Sequence, residues 1–116
     1  MIRTPALSAL AGFWLLAHAT AGIAEESGVM MVRHQVADYL KWRAVFDEQD
    51  SIRRASGLTN VRVYQSADNP NEVVIAIDAA DLEVAKAFAS SDELRARMMN
   101  AGVKGKPEIL FLTIAP

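Results

Sequence analysis

His34 is one of two histidines in the chain, and the other, His18, lies in a strongly apolar N-terminal run. An imidazole with an ordinary pKa near ~6.5 suits proton transfer at neutral pH, so His34 is the candidate acid or base. The competing reading is structural, a strand-end histidine bonded to a neighbouring turn or helix terminus. Three aromatic residues follow it. Tyr39, Trp42 and Phe46 are spaced i, i+3 and i+7, one face of a helix. They can form a wall for a planar ligand, and the same spacing is what core packing demands. Arg43, beside Trp42, can reach an anionic ligand or pair with Asp47 one helical turn on.

Other chemistries fail on residue type or context. The stretch Gly102-Val-Lys-Gly-Lys-Pro107 leaves a helix and enters a strand, whereas a phosphate loop opens a helix and needs Ser or Thr after its Lys. A Ser-His-Asp triad would need Ser56 or Ser66, and neither sits in a nucleophile elbow. One histidine outside the leader, no cysteine, and Asp47, Glu48 and Asp50 reading as a solvated helix face leave no metal site. No cofactor is expected.

Residues 1–24 read as a signal peptide. Arg3 supplies a short positive start, residues 6–19 are mostly apolar but too short to span a membrane with confidence, and small residues precede Glu25-Glu26. Cleavage after Ala24 would leave residues 25–116 as one domain, periplasmic or secreted. Without Arg3 the formal charge of −2 becomes −3. A mildly acidic chain with no basic block disfavours nucleic acid and stable membrane association.

The mature stretch reads as strand, helix, strand, strand, helix, strand. Residues 29–36 form the first strand, with Met30, Val32, His34 and Val36 on one face. Asp38 caps a helix that is expected to run unbroken to Gly57, about 27 Å for eighteen residues. Residues 60–66 and 72–78 form a hairpin around Asp68-Asn69-Pro70-Asn71, with Val73, Ile75 and Ile77 sharing a face. Asp81 caps a second helix, Ser90-Ser91-Asp92-Glu93 restarts it as a capping box, and Gly102 ends it. Residues 108–114 form a last strand, apolar on both faces. The fold class is α+β, a ferredoxin-like βαββαβ antiparallel sheet with helices on one face. Two helices cover one face only, and Val74 and Ala76 make the other partly apolar, so a homodimer with sheet facing sheet is expected.

With these motifs in place, His34-Gln-Val-Ala-Asp38-Tyr39-Leu-Lys-Trp42-Arg43-Ala-Val-Phe46, Gly57-Leu58, Val63-Tyr64 and Gly105-Lys-Pro107, the chain resembles small bacterial cyclase-like proteins of the dimeric α+β barrel superfamily. That superfamily includes the antibiotic-biosynthesis monooxygenases. The resemblance implies pairing as a dimeric α+β barrel. It also implies a strand order in which Asp38 or Asp78 orients His34 and Tyr64 or Arg62 binds a developing oxyanion. His34, Tyr64 and Arg62 are then the catalytic candidates, and Trp42, Arg43, Tyr39 and Asp78 the ligand-binding ones. The implied function is a cofactor-independent monooxygenase or cyclase-like enzyme acting on a small aromatic or polyketide-like molecule. The alternatives are a non-catalytic ligand-binding or stress-related module, and a protein-interaction subunit.

Overall fold

A computed structural model describes residues 26–116; the leader expected at residues 1–24 and its cleavage site lie outside the described residues. The elements are β1 (Gly28–Val36), α1 (Tyr39–Glu48), α2 (Asp50–Ala55), β2 (Leu58–Gln65), β3 (Glu72–Ala79), α3 (Leu82–Ala89), α4 (Asp92–Asn100) and β4 (Val103–Leu112). The four strands form one antiparallel sheet in the order β2-β3-β1-β4, so the ferredoxin-like expectation holds. Among the described residues no helix is long and apolar enough to cross a membrane.

Strand alternation sorts the sheet into two unlike faces. Met30, Val32, His34 and Val36 of β1 are buried with Val73, Ile75 and Ile77 of β3 beneath the helices, joined by Trp42, Leu82 and Ala85. The other face carries Val29, Met31 and Arg33 of β1, and its partner strands supply Val74, Ala76 and Asp78 on one side and Glu108, Leu110 and Leu112 on the other. Among the described residues no helix covers this outer face. Leu110 is 45 % exposed on it.

Each expected helix is broken in two. Between α1 and α2, Gln49 takes φ −100° and ψ 16°, and its N–H donates to the Phe46 carbonyl only three residues back. The Arg53 guanidinium donates to that same carbonyl at 2.8 Å. A side-chain donor thus takes over an acceptor that an unbroken helix would use for its own backbone, and the chain turns. The second break falls at Ser90 and Ser91, as expected, but the N-cap of α4 is Ser91, whose hydroxyl accepts from Leu94 N–H. Ser90 instead donates back to the Lys86 carbonyl at the end of α3.

The last strand begins earlier than its apolar run, because residues 103–107, expected as a connection, already belong to the strand that pairs with β1. The pairing is irregular. Gln35 faces Lys104 and Arg33 faces Glu108, so residues 105–107 of β4 lie opposite His34 alone. Gly105 at φ +69° supplies the left-handed residue of this bulge, and Pro107 lacks an N–H with which to pair. Beyond Leu112 the strand ends, leaving Ile114 exposed.

Candidate functional site

The junction after β1 positions the site. Asn71 in the hairpin turn accepts Val36 N–H through its carbonyl and Tyr39 N–H through Oδ1, while the Gly102 carbonyl accepts Ala37 N–H. The Asp38 carboxylate then caps α1 by accepting from Leu40 and Lys41. Held at both sides, α1 starts in one place and brings Trp42 over the buried face of β1. Trp42 meets the His34 ring edge-on at 5.4 Å between centroids, stacks on Phe46 at 4.9 Å and lies 5.9 Å from Tyr39. Arg53, turned inward by the break at Gln49, places its guanidinium 3.7 Å from the centre of the Phe46 ring. The row His34, Trp42, Phe46, Arg53 is therefore continuous.

This row forms one wall of a cavity of about 60 Å³ between the sheet and the helices. The opposite lining is apolar, with Ile75, Ile77, Phe88 and Met98 prominent, and Gln49 and Arg97 add polar groups. A cavity needs roughly 10–15 Å³ to hold one water, so this one has room for about four to six water-sized bodies, no more than a single six-membered ring.

His34 is only 5 % exposed, and neither ring nitrogen has a hydrogen-bond partner among the described residues. Burial lowers its pKa to about 4, because the cation would be desolvated. The ring is neutral near pH 7, with one N–H and one lone pair to offer. The bulge in β4 lies beside it, and His34 also borders a polar groove lined by Arg33, Gln35, Lys104 and Lys106.

Arg53 is 6 % exposed. Its Nη1 donates to the Phe46 carbonyl, its Nη2 lies 3.9 Å from Asp50, and its Nε is buried without a partner among the described residues. Desolvation lowers its pKa. Arg97 in the same lining is paired with Glu93 at 3.5 Å.

Of the residues expected from sequence, the structure joins His34 to Trp42 and places Tyr39 within reach of that indole. It separates the rest. Tyr64, Arg62 and Asp78 lie on the outer face, since Tyr64 pairs with Val74 and Arg62 with Ala76, while His34 pairs with Val73. Tyr64 and Arg62 therefore cannot serve an oxyanion formed beside His34, and Asp78 cannot orient its imidazole. Asp38 cannot either, because its carboxylate is spent on the helix cap. Arg62 and Asp78 are instead an ion pair at 3.0 Å that, with Asn60 donating to Asp78 and accepting from Arg62, pins a bulge in β2. Asn60 and then Arg62 hold the Asp78 carboxyl below its usual range. Arg43 bonds Asp47 at 3.0 Å and the Tyr39 hydroxyl at 3.2 Å, outside the cavity lining. Among the described residues no group of three or more potential ligands could hold a metal.

Sequence reasoning missed Arg53, Gln49 and Arg97. Arg53 had a signal, because it lies seven residues after Phe46 and continues the aromatic stripe, but its place in the last turn of a helix reads as compensation of the dipole.

The fold is shared with solved structures at low identity. No protein-family model matches the chain, and no curated protein matches it. A proposed antibiotic biosynthesis monooxygenase from Bordetella bronchiseptica superposes with a TM-score of 0.65 at 12% identity, covering 79% of this chain and 100% of that one. A proposed antibiotic biosynthesis monooxygenase from Caulobacter crescentus gives 0.61 at 16% identity, over 79% and 92% of the two chains. SnoaB, a cofactor-independent oxygenase from Streptomyces nogalater, gives 0.59 at 11% identity, over 78% and 96%. The chain has the fold of the antibiotic biosynthesis monooxygenase structures.

Proposed function

We propose that the chain binds a planar phenolic or enolic molecule of a single ring between its sheet and helices and oxygenates it without a cofactor, in the manner of the cofactor-independent oxygenase SnoaB. The observation that carries this reading is His34, a neutral imidazole with both nitrogens unpartnered among the described residues, in a cavity whose other polar groups are Gln49, Arg53 and Arg97. Leaving a buried polar group unpaired costs about 1–3 kcal/mol, a cost that a ligand hydroxyl would remove. Trp42 and Phe46 would stack on the ligand ring, and His34 would take a proton from it.

The energetics permit this. Transfer from a phenol of pKa ~10 to an imidazole near 4 is uphill by roughly 8 kcal/mol for isolated groups. A turnover of about 10 per second corresponds to a barrier of roughly 16 kcal/mol, so the step fits beneath it. The resulting carbanion or enolate is itself the reductant. An activated methylene then becomes a carbonyl, with one atom of dioxygen in the carbonyl and the other leaving as water. A second reading, binding without turnover, is favoured by one observation: among the described residues no carboxylate orients His34.

Trp42 is the only tryptophan in residues 25–116, so its fluorescence reports directly on the cavity. One-ring phenols and hydroquinones would be titrated against the protein while dioxygen uptake is followed. Saturable quenching with protein-dependent uptake, abolished in His34→Leu, supports the oxygenase. Saturable quenching without uptake supports the binding module, and no quenching by any of them overturns both.

The same proposal includes two features of the whole molecule. The apolar outer face pairs with a second copy, and the leader exports the chain to the periplasm or beyond. Intact mass of the exported protein, expected to begin at Glu25, tests the latter; a retained Met1 would sink it.

A further inference from the structure

Resting on the binding reading above, we infer that the ligand carries an anionic group, a carboxylate or an equivalent acid, which docks on the buried guanidinium of Arg53 while a hydroxyl at its other end meets His34. Three observations lead there. The cavity wall is an aromatic row with a polar group at each end, His34 against Trp42 and Arg53 against Phe46. Both end groups are more than nine-tenths buried, and both keep polar atoms without partners, the two imidazole nitrogens and Arg53 Nε.

The third observation is charge. Buried cations are ordinarily paired, and Arg53 has only a half-exposed Asp50 at 3.9 Å, beyond hydrogen-bond distance. Its one good bond goes to a neutral carbonyl. Arg97, the other cation of the lining, is engaged with Glu93 and more exposed, so Arg53 is the group with a charge and a donor still to satisfy. A carboxylate that displaces the side chains closing over Nε would supply the charge-assisted bond that no described side chain makes. The resulting ligand class is a flat hydroxy-aromatic acid, apolar across its middle and polar at both ends.

The test compares 4-hydroxybenzoate with its neutral carboxamide by calorimetry on the unmodified protein. The two probes share ring, hydroxyl and shape, and the amide keeps an acceptor oxygen, so a difference in affinity reads charge alone. The acid is expected to bind at least tenfold more tightly. In Arg53→Gln the acid should fall to the amide's affinity while the amide changes by less than about threefold. If that variant fails to fold, the wild-type comparison still decides. Equal affinity of the two probes for the wild type overturns the anion subsite and leaves the binding reading standing, whereas failure of both to bind overturns both. A preference that survives Arg53→Gln and disappears in Arg97→Gln would also overturn the assignment.

Discussion

His34 and Trp42 make opposite demands on the fold. Trp42 is 2 % exposed and touches His34, Tyr39 and Phe46, so Trp42→Ala should cost about 3–5 kcal/mol of stability, measured by denaturant unfolding. His34 adds a buried polar ring with no hydrogen-bond partner among the described residues. His34→Leu, close in volume and apolar, should therefore leave stability unchanged or raise it by about 1 kcal/mol, while removing ligand binding. A loss above ~2 kcal/mol would mean that the imidazole holds the fold together. The pH dependence carries a sign that can be checked. The folded-state pKa of about 4 lies below the ordinary 6.5, so the unfolded chain takes up this proton first as pH falls. The His34 contribution is fully present above pH 6.5 and is lost between 6.5 and 4, by up to roughly 3 kcal/mol. Carboxylates titrate in the lower part of that range, so the slope of wild type must exceed that of His34→Leu; equal slopes would refute the shift.

At the scale of elements, two devices aim these side chains, the capped start of α1 and the break before α2. Asp38 caps through two amides, and Asp38→Ala is expected to cost about 1 kcal/mol and to loosen the placement of Trp42. Thermal unfolding measures the first effect and the Trp42 emission maximum the second. An unchanged midpoint would show that Asn71 and the Gly102 carbonyl set the junction without the cap. The break at Gln49 has the larger chemical consequence. In one straight helix the guanidinium of Arg53 would project a further turn along the axis; the turn at Gln49 folds it back onto Phe46, where it closes one end of the cavity.

For the whole molecule, the question is the outer face of the sheet. Leu110 and Leu112 are its exposed apolar residues, with Val29, Met31 and Val74 half-buried beside them, Ala76 buried among them and Tyr64 55 % exposed at its edge. Contiguous apolar surface of this kind is unusual on a monomer. The proposed dimer predicts that light scattering at micromolar concentration returns twice the chain mass, and that Leu110→Glu returns the monomer mass with the fold intact by circular dichroism. A monomeric wild type would refute the pairing. The cavity lies on the helix side, so ligand binding should persist in the Leu110→Glu monomer.

Local periodicity determined a great deal here. Alternation in residues 29–36 put His34 on the buried face of β1 because a strand's side chains change sides at every residue, whatever the strand pairs with. The caps at Asp38 and Asp81 and the left-handed glycines at 57 and 102 are set by chemistry within a few residues, and all four are found where the sequence places them. Periodicity also separated Tyr64 from Val63, but β3 is apolar on both faces, which hid the side that the helices would cover. Only strand register decided it, by pairing Val63 with Ile75 and Tyr64 with Val74. The bulge opposite His34 and the inward turn of Arg53 depend on groups far apart in the chain, β4 against β1 and a side chain against the carbonyl seven residues before it. Each results from competition for hydrogen-bond partners across the assembled fold, a competition that a window of neighbouring residues does not contain.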